Sequence, residues 1–383
     1  MDLYMYATGH SQIPSEWHRW CCLSVVASAV ADRVYYKKFE WEKLSPNQYI
    51  FLVGDSASGK GGALSFAQQF IHPKMNAYTG SVTSKSMIDR MSKPSDDGMP
   101  DRSKMLLIQP ELADCIGEGP QAQAMVKAMT NWYNPSDRDY EESTRKHGDK
   151  ILRPPCLNWL AGTTIEWLRE TVNINAMRSG FFGRVAVAPG APTGERVYAP
   201  YSPPEYHDVC DVIRQRLMYL TEYTGEFTMT PAARAIDMEW YETRPDPDDE
   251  MKPFWRRQHD LNLKIAMTLS LCESMSLKID EKHILKAQEM TDQSATMLPP
   301  IITKATSTQT SYKYDQVSRM IEQFSPIKHS MLLRKVHRWH ITADELHKIV
   351  AQLNEAGLIE IERTMGGGRK YRWVKQGKFK FGK

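Results

Sequence analysis

The stretch Gln48-Tyr49-Ile50-Phe51-Leu52-Val53-Gly54-Asp55-Ser56-Ala57-Ser58-Gly59-Lys60 decides how this chain folds. Gln48–Val53 is a short apolar run that reads as a buried strand, and it stops abruptly at Gly54. A helix is predicted to begin near Lys60, so the small polar residues between them form a strand-to-helix loop. Gly54, Asp55, Ser56, Ala57, Ser58, Gly59 and Lys60 match the pattern G-x-x-x-x-G-K. The backbone N–H groups of such a loop can cradle a β-phosphate at a helix N-terminus, while the lysine reaches the β and γ oxygens. The strand before the match and the helix after it set it apart from a chance Gly-Ser turn. Gly61 departs from the pattern, because that position normally offers a hydroxyl to Mg²⁺. Ser58, Ser65 or water would have to fill the role.

Downstream, Lys104–Ile108 is a second buried strand, running into Gln109-Pro110-Glu111. A strand end aimed at phosphates normally carries an Asp for Mg²⁺, then a Glu that polarises the attacking water. Glu111 fits the second role, and Gln109 or Pro110 stands where the Asp would be. The plainer alternative is that Glu111 only opens the next helix. Leu157–Ala161 and Gly183–Ala188 read as further buried strands, with a helix over Gln121–Tyr133. Buried strands alternating with helices predict an α/β protein with a mostly parallel sheet.

The rest of the chain is ordered around that core. Ser15–Arg33 reads as a buried helix behind a Ser cap, followed by a short strand at Val34–Phe39. Asp139–Arg153 reads as two short strands around a polar turn. Residues 207–299 are mainly helical, and Lys304–Ser311 has linker composition. Tyr312–Val374 reads as three helices and then strands Leu358–Arg363 and Lys370–Val374 around Gly366–Gly368, a winged-helix arrangement. The expected division is an N-terminal helical segment packing on the core (1–47), a nucleotide-binding core (48–205), a helical lid region (206–303), a linker (304–311), a winged helix (312–375) and a basic tail (376–383).

Composition narrows the class. With 383 residues, 41% hydrophobic and 25% charged, the chain has material for a sizeable core and more than one domain, which excludes disordered and fibrous classes. The apolar run at Trp20–Ala31 is too short to span a bilayer and lacks signal-peptide flanks, so no membrane role is expected. Six cysteines show no C-x-x-C pair and no metal-ligand spacing, which favours reduced thiols in a cytoplasmic setting. From Tyr312 onward 15 Lys and Arg face 7 Asp and Glu, a basic module on a mildly acidic body, and such a balance suggests nucleic acid.

In the order of these motifs, residues 48–300 resemble the helicase-like AAA+ ATPases of phages, plasmids and other mobile elements. More distantly they resemble the minichromosome maintenance helicases. Asn158-Trp159-Leu160-Ala161-Gly162-Thr163-Thr164 looks like the sensor-1 strand, which would give Thr163 or Thr164 contact with the γ-phosphate or lytic water. Gly180-Phe181-Phe182-Gly183-Arg184-Val185 looks like the segment whose arginine is a finger to a neighbouring subunit, so the resemblance assigns that role to Arg184. The segment from Arg257-Gln258 to Ala266 is similar to the sensor-2 helix, which maps the sensor arginine onto Arg257. The resemblance further implies ATP and Mg²⁺ as cofactors and a homo-oligomeric ring, a hexamer, with single-stranded DNA in its pore. It also implies replication partner proteins and the cytoplasm of a bacterial host.

Two regions are candidates for touching DNA. In the helicases, an insertion where Asp139–Arg153 lies forms a pore hairpin, and here it carries Arg145, Lys146, His147 and Lys150. A solvated β-turn is the equal alternative. In the winged helix, Arg369, Lys370 and Arg372 lie on the wing, with Trp339, Tyr371 and Trp373 as aromatic neighbours. Such a domain also serves as a protein-docking module. The leading functional expectation is an ATP-driven DNA motor, a replicative helicase of a phage or mobile element. The alternative, favoured by Gly61 and Pro110, is an ATP-switched initiator or helicase loader with weak or no hydrolysis. A winged-helix regulator with a degenerate ATPase body comes third.

Overall fold

The computed structural model describes residues 1–9, 11–93, 103–116, 120–134, 139–144, 148–171, 180–190, 198, 201–247, 251–306, 309–336, 341–363 and 368–374. It divides into a unit spanning Met1–Ile302 and a unit spanning Thr303–Lys383.

The first unit is mixed α/β. Strands β1 (Val34–Phe39) and β2 (Glu42–Leu44) precede β3 (Tyr49–Val53), and β4 (Ala77–Tyr78) and β5 (Lys104–Gln109) follow. Then come β6 (Tyr140–Thr144), β7 (Gly148–Leu152), β8 (Cys156–Thr163) and β9 (Val185–Pro189). The main sheet has the order β4-β5-β8-β3-β9, every pair parallel. All five residues of β3 are buried, as the unbroken apolar run requires of a central parallel strand covered on both faces. The chain leaves β3 toward one edge at β4, returns through β5 and β8, and crosses β3 to reach β9. The direction of winding therefore reverses at β3, which opens a crevice at its carboxyl end.

The helix Ser15–Val30 is buried on nearly all sides, including Trp17, Trp20, Cys21, Leu23 and Val25. It starts at Ser15 with Pro14 as the capping residue, so the expected Ser side-chain cap is not formed. A second sheet, unforeseen apart from its strand at Val34–Phe39, has the order β11-β10-β1-β2, where β10 is Gly225–Met229 and β11 is Lys278–Ile279. The helix Lys252–Ser274 runs through the interior, and its middle turns from Leu261 to Leu271 are buried. Lys264, on that helix, is wholly buried; its ammonium donates to the carbonyls of Ser45 (2.9 Å) and Asn47 (3.1 Å) and to Asn47 Oδ1 (2.6 Å). Three acceptors for three N–H donors tie the segment before β3 to this helix.

The second unit holds helices Gln309–Gln323, His329–Val336 and Ala343–Glu355 and strands β12 (Ile327–Lys328), β13 (Ile359–Arg363) and β14 (Arg369–Trp373). Its sheet order is β12-β14-β13, antiparallel throughout. Thr342 and Glu345 form a reciprocal capping box at the third helix. Val317, Ile321, Leu332, Leu346, Leu353 and Tyr371 are among the side chains filling its core. Residues 304–306 and 309–311 are helical, although their composition reads as a linker, because the flanking helices extend into them. All six cysteines are free, and among the described residues no helix is long and apolar enough to cross a membrane.

Candidate functional site

The loop Gly54–Gly59 leaves the carboxyl end of β3 and enters the helix Lys60–Gln68. Gly59 has φ +100°, which L residues rarely adopt, and Ala57 has φ +61°. Lys60 is buried, and its ammonium turns back into the loop, donating to the carbonyls of Gly54 (2.9 Å) and Asp55 (2.6 Å) and to Ser58 Oγ (3.3 Å). Burial lowers its pKa, and the charges of Glu111, Asp55 and Glu166 pull it back upward. The loop therefore combines backbone N–H groups at a helix N-terminus with a buried cation, an arrangement that can hold a polyphosphate.

Sequence reasoning missed what supports this loop. Trp17 is fully buried beneath it, and its indole Nε1 donates to the Ala188 carbonyl (3.1 Å). A Cβ on Gly54 would come within 2.7 Å of this indole, and one on Gly190 within 2.0 Å. Both glycines are thus required by close approach to Trp17. Ile13 covers the other side, since a Cβ on Gly59 or Gly62 would meet its side chain at 3.1 and 2.7 Å. An isolated Trp and Ile in an apolar helix and its leader give no signal of such contacts.

The strand ends beside β3 complete the carboxyl edge. Gly54 N donates to the Thr163 carbonyl (3.3 Å), so the loop and the tip of β8 are joined. A Cβ on Gly162 would lie 2.5 Å from the Pro110 carbonyl, so only glycine lets the tips of β8 and β5 meet. This brings Glu111, exposed just beyond β5, into the electrostatic neighbourhood of Lys60. Thr163 is buried, with its hydroxyl 3.4 Å from the Thr164 carbonyl. The Thr164 hydroxyl accepts from Trp167 N (3.2 Å) and so caps the following helix.

These residues fit phosphates better than they fit a metal ion. A Cβ on Gly61 would touch nothing within 4 Å, so the space for a hydroxyl exists but the residue supplies none. Ser58 Oγ donates to the Asp55 carbonyl (2.6 Å). Gln109, where an Asp would stand, is buried and donates to the Gly80 carbonyl (2.6 Å). Among the described residues, no group of three His, Cys, Asp or Glu side chains comes together. Direct protein ligands to Mg²⁺ are therefore thin.

Arg184 and Arg257 lie elsewhere. Arg184 immediately precedes β9, and Val185 pairs with Tyr49, the first residue of β3. The five residues of β3 separate it from the loop, about 17 Å at the usual rise of a strand. Its Nη1 donates to the Gly180 carbonyl (2.6 Å), while its Nε is buried without a partner. Burial and the neighbouring Arg257 both lower its pKa. The two arginines adjoin because the turn at Gly183 presses on the start of the helix Lys252–Ser274. A Cβ on Gly183 would lie 2.5 Å from the Pro253 carbonyl and 3.2 Å from Arg257 Cδ. The structure thus brings Lys60, Glu111 and Thr163 together, and gathers Arg184 and Arg257 at the opposite end of the sheet.

The DNA-contact candidates divide differently. β6 and β7 pair antiparallel, and Lys150 on β7 forms an ion pair with Asp89 (3.6 Å). Arg145, Lys146 and His147 lie outside the described residues, as do Trp339 and the tail beyond Val374. In the second unit, Lys370 and Arg372 face Glu362 and Glu360 across the hairpin, and Arg372 pairs with Glu362 (2.6 Å). Exposed Lys328, which pairs with Lys370 from β12, adds a third cation, so that face is weakly positive. Arg369 is exposed and lies 3.1 Å from His347 Nε2. Tyr371 is wholly buried and presents no open face for stacking, whereas Trp373 is half-buried against the same core.

No protein-family model and no curated protein matches the chain. Among solved structures it is similar to a full-length MCM homolog from Methanopyrus kandleri, with 16% identity and a TM-score of 0.48. The likeness covers 77% of this chain and 59% of the length of that one.

Proposed function

We propose that the chain is an ATP-dependent, ring-forming DNA motor, a replicative helicase of a phage or mobile element. The observation that carries the reading is the separation of the phosphate loop from the arginine pair. Phosphoryl transfer needs positive charge spread over the γ-phosphate beyond what a loop lysine supplies. Arg184 cannot reach the loop of its own chain, so a second copy must present its Arg184 and Arg257 at the carboxyl edge. The site is then completed only at a junction between subunits, and nucleotide state is coupled to subunit geometry.

Within one site the roles follow from position. The loop N–H groups and Lys60 bind and orient the phosphates. Glu111 accepts a proton from the attacking water, and Thr163 lies within the same strand-tip cluster. Mg²⁺, when bound, would supply charge neutralisation to the phosphates, with few protein ligands of its own here. The hairpin β6–β7, with Lys150, is the DNA-gripping element, and Arg145, Lys146 and His147 belong to it by sequence. The second unit is its winged helix and acts as an accessory module, with Lys370 and Arg372 facing glutamates across the hairpin and Arg363 and Arg369 facing each other.

One observation favours a second reading. Gly61 without a hydroxyl and Gln109 bound to the Gly80 carbonyl leave Mg²⁺ poorly held, which suits an ATP-switched initiator or loader with slow turnover. Subunit mixing tests both. Lys60→Ala and Arg184→Ala chains, each inactive alone, should recover hydrolysis when mixed, because one junction in a mixed ring pairs an intact Lys60 with an intact Arg184. No recovery despite assembly would overturn completion in trans. ATP binding without turnover in the unmodified protein, with or without single-stranded DNA, would transfer the conclusion to the switch.

A further inference from the structure

A crevice of about 410 Å³ lies at the amino ends of β5 and β8, beside the turn that leads from the helix Ser15–Val30 into β1. It is no part of the nucleotide site. Cys156 on its wall and Thr163 beside the phosphate loop are the two ends of β8, about 23 Å apart at the usual rise of a strand. Arg33, Lys74 and Lys104 line the crevice as cations, and Glu222 as an acid, with Asp32 adjoining. Both acids are already matched. Asp32 pairs with Lys104, whose ammonium also donates to the Pro154 carbonyl (2.7 Å), and Glu222 pairs with Lys74. Arg33 is left over. Its Nη2 donates to the Ala29 carbonyl, its Nε is buried without an acceptor, and its Nη1 has no protein acceptor among the described residues. Burial lowers its pKa, and the charges of Asp32 and Glu222 offset only part of that. The turn that carries Arg33 is strained. Ala31, on the same wall, ends the helix at φ 51° and ψ −129°, a conformation L residues rarely adopt. Strain of this kind collects where a segment is held for binding.

We propose that this crevice binds a small phosphate monoester of nucleotide size, with its phosphate against Arg33 and its organic part against Met75, Met105 and Leu106. The assignment stands apart from the trans-completed site proposed above and needs no second copy of the chain. A half-buried guanidinium without a carboxylate partner is stabilised by an anion, and its planar array of donors suits phosphate oxygens. Lys74 is the second phosphate contact. Its pair with Glu222 lies at the surface, with side chains 51% and 67% exposed, and so weak a pair is readily exchanged for a phosphate. The volume is larger than a phosphate group needs and falls within the range of small-molecule pockets. Met75, Met105 and Leu106 give the rest of such a ligand apolar wall to cover. With both acids engaged, a metal cation finds no free carboxylate here.

The test is calorimetry with AMP, adenosine and inorganic phosphate in the full Lys60→Ala chain, where the phosphate loop has lost its cation. AMP should bind, inorganic phosphate should bind more weakly, and adenosine should not bind measurably. Adding Arg33→Gln should weaken AMP by about tenfold or more, the usual loss for one charged hydrogen-bonding partner. Adding Lys74→Glu, a change at the exposed rim, should weaken it in the same direction and keeps the test decisive if Arg33→Gln does not fold. In a chain carrying Arg33→Gln alone, binding of a fluorescent ATP analogue at the phosphate loop should be unchanged. Failure of both AMP and inorganic phosphate to bind at millimolar concentration overturns the proposal. Equal AMP affinity with and without Lys74→Glu overturns it too, since the ligand then sits elsewhere. Adenosine binding as tightly as AMP would remove the phosphate from the recognition and overturn it as well.

Discussion

The two ends of the parallel sheet are built from different materials. At the carboxyl end of β3 the ligand-facing groups are mostly backbone, and glycines make the approach possible: Gly54 over the Trp17 indole, Gly162 under the Pro110 carbonyl, Gly59 at φ +100°. At the amino end the groups are side chains, with Arg184 against Arg257 and Lys264 seated among carbonyls. A backbone site is rigid and specifies shape, whereas a side-chain site supplies charge. On the function proposed above, neither end alone makes a hydrolytic centre.

The largest expected effect breaks the pairing of the ends. Arg184→Ala should lower kcat by about 10³-fold, in the range of a trans-acting arginine. Affinity for ATP in the single chain should stay unchanged, because the residue is remote from its own loop. Steady-state hydrolysis and equilibrium binding measure the two separately. A matching loss of binding would place Arg184 in its own site and collapse the distinction between the ends.

The difference in materials also explains what was legible in the sequence. Tyr49–Val53 followed by the loop to Lys60 is a local pattern, and a backbone site depends on local order, so both its fold and its position could be read directly. Arg184 and Arg257 could be singled out only by resemblance. Their adjacency arises from Gly183 pressing on Pro253, some 70 residues away, which periodicity does not encode. Trp17 looked like core, which it is, but its second role under Gly54 depends on a contact between segments that no local signal joins. The winding order of the sheet, with β8 between β3 and β5, is likewise a tertiary outcome.

Two substitutions sharpen the account of the carboxyl end. Trp17→Ala should cost about 3–5 kcal/mol in urea unfolding, the usual penalty for emptying a large buried site. Beyond that loss, it should weaken ATP binding, because Gly54 loses its floor. Normal binding in the folded fraction would show that the loop holds its shape without the indole. Gly61→Ser should do the opposite. Its Cβ has open space, and a hydroxyl there gives the metal a ligand, so turnover should rise up to about tenfold at limiting Mg²⁺. Turnover unchanged at every Mg²⁺ concentration would mean that the ion is held without this position.

The smallest effect distinguishes the ends by pH. The carboxyl end rests on glycine packing, but the amino end is tied by Lys264, whose pKa burial pushes down to about 7. An unfolded lysine titrates near 10.4. Between those values the unfolded chain holds more protons than the folded one, so this group makes stability rise with pH. Its contribution is fully present above about 10.4 and is lost as pH falls through 7. Between pH 7 and 8 the gain is about 1 kcal/mol, as the folded group is by then largely neutral. Lys264→Met should be less stable throughout, since the Ser45 and Asn47 oxygens lose their donor, but its urea midpoint should change less across that interval. Equal slopes for the two proteins would mean that the three acceptors hold the ammonium charged over the whole range.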